Sequence, residues 1–394
     1  MTYRVAIVGA GPSGFYAADG LLRARPDLRI DLVDRLPTPF GLVRAGVAPD
    51  HQGTKAVVRQ FEKLLGQPDV RFAGNVEIGR DLSWDALREG YDAVIVATGM
   101  TVDRRLGVPG EDLPHVWGSW RFVGWFNGHP DCREGPDLSR VKSVAVIGNG
   151  NVAIDVTRVL AKSVDEMARS DIVPEAGEAI AKAPLKDIYV IGRRGPEHAS
   201  FTNNELAEMG RLARAVAVSD AKALEVQAPA GDPTPERLRK TKNIEILKGF
   251  STNEAGAKPV TVHFVFNATP KVIKTGEIEL SGGKLPADLV ITCIGYAGEP
   301  YPRGDNVFAV GWARRGPTGT IPTNRGEAHA VAREVLAWLE QRDPKSGPDP
   351  MPPSVDLAGW HRIDKAEIAA GQELGRPRVK LTDWKALLGV AQGD

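Results

Sequence analysis

Cysteine is almost absent: Cys132 and Cys293 are the only two in 394 residues. They stand far apart, so there is no C-x-x-C dithiol and no zinc quartet, and a cysteine-ligated iron–sulfur cluster would need about four thiolates. Two reduced, buried thiols in a cytoplasmic protein are expected, rather than a disulfide. No metal site is expected either. Net charge is missing too: 50 Lys+Arg balance 50 Asp+Glu. Whole-molecule attraction to nucleic acid or an anionic membrane therefore has no support, and a charged partner must find a local patch. No apolar run approaches the roughly 18 residues of a membrane span. The apolar start runs straight into glycines without a cleavage-like region, as in a mature, unexported chain.

Glycine and proline are plentiful, at 43 and 29 residues, which suits turns and close backbone approaches more than long helical bundles. The 42% hydrophobic and 25% charged fractions are those of a globular protein. At about 150 residues per domain the length predicts two to three domains.

Residues 3–8 read as a strand, 9–14 as a glycine turn, and 15–25 as a helix that buries Ala17, Ala18, Leu21 and Leu22. Arg29–Val33 reads as a second strand ending at Asp34, which completes a βαβ unit. The irregular stretch 37–53 is long enough to be a binding loop. Residues 91–99 read as a buried parallel-type strand stopped by glycine. A second unit starts at Ser143–Ile147, turns at 148–150 and continues into a helix with Val152, Val156, Val159 and Leu160 on one face. Its next strand, Asp187–Ile191, ends in Gly192-Arg193-Arg194-Gly195-Pro196, and 287–294 forms another buried strand stopped by Gly295. A last helix is expected near Asn324, with Glu327 as its capping pair and Val331, Val335, Trp338 and Leu339 inward. The predicted fold class is α/β with two Rossmann-like dinucleotide-binding domains, the second inserted into the first. The outer domain takes 1–101 and 299–394, and the inserted one takes 102–298.

The first glycine turn, Gly9-Ala10-Gly11-Pro12-Ser13-Gly14, is a G-x-G-x-x-G between strand and helix. Its glycines permit the tight turn and let a pyrophosphate reach the helix N-terminus. Asp34 follows at the end of the next strand, where a carboxylate accepts ribose hydroxyls and repels a 2′-phosphate, selecting FAD or NAD. The second turn, Gly148-Asn149-Gly150-Asn151-Val152-Ala153, carries the permitted alanine at its third position. There the following strand ends in Arg193 and Arg194, whose guanidinium groups match the 2′-phosphate of NADP. Opposite ribose signatures in one chain point to an FAD site fed by NADPH. A third glycine-rich segment, Gly311 and Trp312 through Gly316, Gly319, Thr320 and Ile321, leads into the last helix and can place backbone donors beside a flavin.

Residues 39–44 (Pro-Phe-Gly-Leu-Val-Arg), 46–51 (Gly-Val-Ala-Pro-Asp-His), 148–155, 192–196, Gly311-Trp312, 316–319, 360–364 and 375–378, taken in order, resemble ferredoxin–NADP⁺ reductases of the adrenodoxin reductase type. The resemblance implies an FAD flavoenzyme that takes hydride from NADPH and passes single electrons to a ferredoxin-type iron–sulfur protein. It implies FAD contacts from Ser13, Asp34, Leu42, Val76, Trp312, Gly319, Thr320 and Ile321. NADP contacts would come from Asn149, Gly150, Asn151, Val152, Arg193, Arg194, Glu205 and Gly319. His51 and Glu205 resemble the family's polar pair near nicotinamide and flavin and are the expected catalytic residues. Where the family commonly has Glu at the FAD ribose, this chain has Asp34. Arg237, Arg239, Lys240 and Lys242 crowd a short segment and are the expected docking patch for an acidic ferredoxin. Two other functions fit the residues: an NADPH:flavin reductase serving a quinone or other small acceptor, and a non-catalytic dinucleotide sensor.

Overall fold

The structure, a computed structural model, describes residues 2–319 and 321–393. It divides into two compact units, Met1–Val47, His51–Val102 and Tyr296–Asp394 in the first, Ala48–Asp50 and Asp103–Gly295 in the second. The boundaries thus fall at 102/103 and 295/296, not at 101/102 and 298/299. The brief return of Ala48–Asp50 to the second unit has no counterpart in the sequence reading. Its cause is burial: Ala48 is fully enclosed in the second unit's apolar core, and the Asp50 carboxylate is held by Arg158.

The first unit is built on five parallel strands in the spatial order Val307–Ala309, Ala93–Val96, Arg4–Val8, Arg29–Val33 and Val70–Ala73. Val5, Ile7, Val94 and Ile95 are wholly buried, as expected of strands covered on both faces. The helix Pro12–Ala24 opens with proline at its first turn, where no amide partner is lost, and buries Phe15, Ala17, Ala18 and Leu21. In Val58–Leu65, Phe61, Leu64 and Leu65 recur at helical spacing on the buried face. Each such side chain contributes about 1.5–3 kcal/mol of burial. Phe61 stacks on Phe15 with ring centroids 4.6 Å apart. The chain order reverses between Arg4–Val8 and Ala93–Val96. In an open parallel sheet such a reversal leaves a crevice at the carboxyl ends of the strands.

The helix expected near Asn324 is Ile321–Leu339, so Asn324 and Glu327 lie inside it and form no capping pair; it is not the last, since Leu357–Glu373 and Trp384–Gln392 follow. Both instead receive Arg315 from the preceding turn: its guanidinium donates to Asn324 Oδ1 at 2.7 Å and pairs with Glu327. A charged donor displaces the weaker capping interaction.

The second unit has six parallel strands in the order Val116–Gly118, Leu289–Thr292, Ser143–Ile147, Asp187–Ile191, Val260–Val265 and Ala215–Ser219. A small antiparallel sheet, Pro270–Lys274, Gly276–Leu280 and Gly283–Ala287, covers one face and packs Ile273 and Ile278 against Ile147, Ile191 and Val290. Here the order reverses between Ser143–Ile147 and Leu289–Thr292. Cys132 and Cys293 are both buried, and no disulfide joins them. Among the described residues no helix is long and apolar enough to cross a membrane.

Candidate functional site

Each unit places a glycine turn at its own reversal point, and by the same device. Gly9 adopts φ +112°, and a Cβ there would lie 2.4 Å from the carbonyl oxygen of Ala97. Gly148 adopts φ +147°, and a Cβ would lie 2.2 Å from that of Cys293. Only glycine fits between the turn and the end of the strand across the reversal. At Gly14 a Cβ would strike the oxygen of Gly9 at 2.2 Å. Gly11 is different, since the nearest atom to a Cβ there is 3.9 Å away. The chain itself does not need glycine at this point, and the missing side chain leaves the helix N-terminus open.

That opening is what a pyrophosphate requires. The helices Pro12–Ala24 and Asn151–Ala161 follow Gly11 and Gly150 with no side-chain cap, whereas Trp84–Gly90 and Leu357–Glu373 are capped by Ser83 and Asp356. Their first-turn amides and positive dipole ends are therefore not claimed by a capping side chain.

Around the first turn the structure gathers Ser13, Asp34, Leu42, Val76 and Trp312. Asp34 ends Arg29–Val33, and its two carboxylate oxygens accept the amides of Ala10 at 2.8 Å and Leu36 at 2.9 Å. Burial pushes this carboxyl above its ordinary range, opposed by those two donors. The carboxylate is oriented yet keeps lone pairs for further donors, as a ribose reader needs. Val76 is buried beside it and donates its amide to the Asp34 carbonyl at 3.0 Å. Leu42, 37% exposed, follows Gly41, where φ is +48° and a Cβ would come within 2.9 Å of Gly11 Cα. Gly311, with φ +68°, would place a Cβ 2.1 Å from Ser13 Oγ. Trp312 therefore begins beside the turn, half-buried, stacked on Tyr296 at 5.7 Å and donating its indole N–H to Thr318 O at 3.1 Å. It is not a core tryptophan. Gly319 is exposed and Ile321 opens the following helix; Thr320 lies outside the described residues.

In the second unit Asn151 Oδ1 accepts the amide of Thr202 at 2.8 Å, and Ser200 Oγ donates to Asn149 O at 3.0 Å. The glycine turn is thereby laced to residues 200–202, which the sequence reading did not identify. Asn149 Oδ1 is buried with no hydrogen-bond partner, an acceptor left for a ligand. Gly150 and Val152 are half-buried on the same turn. Arg193 and Arg194 are both exposed, and neither guanidinium has an ion-pair partner among the described residues. Two uncommitted guanidinium groups thus sit just beyond the end of the strand Asp187–Ile191. The residues present fit FAD at the first turn and NADP at the second.

His51 is half-buried and heads the one-turn helix Gln52–Lys55, accepting the Lys55 amide on its carbonyl. Glu205 lies in the first turn of Asn203–Glu208, with Oε2 2.9 Å from Arg158 Nη1. Sequence reasoning missed Arg158, whose side chain is wholly buried. It also meets Asp50, Asp155 at 2.8 Å and Glu208 at 3.5 Å. Lys162 adds a second cation on Asp50, at 2.6 Å. Burial alone would raise the Asp50 carboxyl, but Arg158 and Lys162 outweigh it and hold the group far below the usual carboxylate range. The only sequence signal is an Asp155/Arg158 spacing that reads as a surface pair.

The basic segment lies on the helix Thr234–Phe250, and half of it is engaged within the unit. Arg239 Nη1 donates to the carbonyls of Phe201 and Ala199. Lys240 is buried against Asp232 at 2.7 Å and Glu236 at 3.3 Å. Arg237 and Lys242 are exposed, the latter 3.1 Å from Glu245.

The family profile described as pyridine nucleotide-disulphide oxidoreductase matches residues 3–189. The chain is 37% identical to NADPH-ferredoxin reductase FprA of Mycobacterium tuberculosis across 99% of both chains. It is 33% identical to the mitochondrial NADPH:adrenodoxin oxidoreductase of Arabidopsis thaliana, across 98% of this chain and 95% of that one. The solved structure of Mycobacterium tuberculosis FprA in complex with NADPH superposes with a TM-score of 0.93 over the whole of both chains.

Proposed function

The chain belongs to the family of the NADPH-ferredoxin reductase FprA, and from that membership we propose that it is an NADPH-dependent FAD flavoenzyme that reduces a ferredoxin-type iron–sulfur protein. One observation carries the reading: two open glycine turns in one chain have opposite ribose readers, the oriented carboxylate of Asp34 and the uncommitted guanidinium groups of Arg193 and Arg194. The first repels a 2′-phosphate and the second attracts one. The two ligands are thereby sorted by charge.

Bound FAD supplies the conversion between a two-electron donor and a one-electron acceptor. Gly9, Gly11, Ser13 and Gly14 offer the pyrophosphate the open N-terminus of Pro12–Ala24, and Asp34 accepts its ribose hydroxyls. Leu42, Val76, Trp312, Gly319 and Ile321 enclose it and exclude water, with Thr320 outside the described residues. Gly148, Asn149, Gly150, Asn151 and Val152 receive the NADPH pyrophosphate. Glu205, its carboxylate steadied by Arg158, orients the nicotinamide end, and the His51 imidazole is the group that relays a proton. Arg237 and Lys242, exposed on Thr234–Phe250 together with Lys248, suit an acidic iron–sulfur partner. Two buried thiols that no disulfide joins support a cytoplasmic location.

Anaerobic titration of the holoenzyme with NADPH and NADH in parallel tests the function. Bleaching of the yellow flavin band with about a hundredfold preference for NADPH is expected from the loss of arginine–phosphate contacts. Equal bleaching by both would refute the assignment of the second turn, and binding without bleaching would point to a sensor.

A further inference from the structure

We propose that Glu367, close to the C-terminus, is a positioning residue for FAD: through Arg44 it clasps the segment that sets Leu42 against the first glycine turn. The proposal rests on reading that turn as the FAD site.

Glu367 lies on the helix Leu357–Glu373, and its side chain has no exposed surface. One carboxylate collects four donors. Arg44 Nη1 reaches Oε2 at 2.8 Å and Arg44 Nη2 reaches Oε1. Arg378 Nη1 adds a bond of 3.2 Å and the Leu381 amide one of 2.9 Å. Burial alone would raise this carboxyl, but Arg44 and Arg378 hold it ionised, below its usual range. The backbone of Arg44 is held as well, since Lys380 Nζ donates to its carbonyl at 3.0 Å. Side chain and main chain of one residue are thus tied to the C-terminal segment.

Arg44 belongs to the one-turn helix Leu42–Ala45, too short to hold its own shape. Just before it the backbone is strained: Phe40, with a full side chain, takes φ +81°, and Gly41 takes φ +48°. Such a conformation persists only where its surroundings impose it. On one side the surroundings are the glycine turn, where Ala10 O accepts the Phe40 amide at 2.7 Å and Gly11 Cα faces Gly41. On the other they are the C-terminal helix, where Trp360 meets the Phe40 ring edge-on at 5.5 Å and lies under the Arg44 guanidinium at 5.5 Å.

Stability alone does not call for this pair. A buried ion pair is often replaceable by packed apolar groups without loss, whereas a bidentate arginine–carboxylate fork adds fixed geometry. The fork grips the strained segment at the point where its partner is the open Gly11.

The test is FAD release from the purified holoenzyme, followed by recovery of free-flavin fluorescence after dilution. Glu367→Gln removes the charge, Arg44→Lys keeps charge but loses the fork, and Tyr91→Phe deletes a buried hydrogen bond to Asp31 elsewhere in the same unit. Release is expected to be about tenfold faster in the first two, no faster still in the double variant than in the worse single, and unchanged in Tyr91→Phe. Release within twofold of wild type in Glu367→Gln, or equal acceleration in Tyr91→Phe, would overturn the proposal. A wild-type chain unable to take up FAD would remove the site reading, and the clasp with it.

Discussion

The guanidinium of Arg158 grips the carboxylate of Asp50, 108 residues earlier in the chain, through hydrogen bonds of 2.8 and 3.1 Å. Both side chains are almost wholly enclosed in the second unit, and Lys162 adds a further bond of 2.6 Å to the same carboxylate. The three-residue return Ala48–Asp50 is held there by this acid, by the burial of Ala48 and by the Asp171 amide, which donates to the Pro49 carbonyl at 3.1 Å. The next residue along the chain is His51.

Asp50→Asn is therefore expected to destabilise the protein by about 3 kcal/mol, because the wholly buried Arg158 and the half-buried Lys162 each lose a charged partner. The Asp50 pKa is depressed in the fold, so the pair's contribution is present above the unfolded carboxylate value and is lost as the pH falls below about 5. Urea unfolding across that range should show a shallower acid loss in the variant than in wild type. Identical slopes would contradict the assigned role.

Asp34 has the opposite sign. Its carboxyl is raised by burial, so it takes up a proton in milder acid than an ordinary aspartate and then accepts fewer ribose hydrogen bonds. FAD affinity should fall with acidification, and Asp34→Asn should bind FAD about tenfold more weakly with a flatter pH profile. Fluorescence titration at several pH values measures both.

Arg193→Ala and Arg194→Ala should each raise KM for NADPH by about tenfold or more while leaving KM for NADH nearly unchanged. Steady-state kinetics with a small artificial acceptor suffices. Parallel losses with both nucleotides would remove these residues from the 2′-phosphate site.

Reversing Arg237 and Lys242 to glutamate should raise KM for an acidic ferredoxin and weaken its salt dependence, with flavin reduction by NADPH untouched. Arg239→Ala and Lys240→Ala should instead lower Tm, since their donors are engaged within the unit. A stronger ferredoxin defect in the second pair than in the first would reverse this division.

His51→Ala should slow flavin reduction by only about tenfold with FAD retained, because hydride transfer depends on alignment more than on a strong acid or base. Stopped-flow reduction reads this directly, and complete loss of reduction in a flavin-loaded variant would show a larger role.

Both glycine turns, the helices after them and Asp34 are legible in the chain because their physics is local. Apolar runs, turn glycines and a carboxylate at a strand end lie within about one βαβ unit of each other. The helix expected near Asn324 begins three residues earlier, at Ile321, and the partner met there by Asn324 and Glu327 is Arg315, which ends the one-turn helix Trp312–Arg315, too short to carry a periodic signal. The basic segment is only partly legible for a related reason: four basic residues within six positions do not reveal that Lys240 is buried beside Asp232 and Glu236.

Composition and local pattern alone determined that this protein has two glycine turns of dinucleotide type, one followed by an acid and one by paired arginines at the end of the next strand. Tertiary structure alone decided which charges are enclosed and whom they meet: Arg158 with Asp50 and Glu205, and Glu367 with Arg44 across 323 residues. A charged side chain looks the same in sequence whether solvated or buried. Its energy depends on the dielectric around it and on partners that only the folded topology supplies.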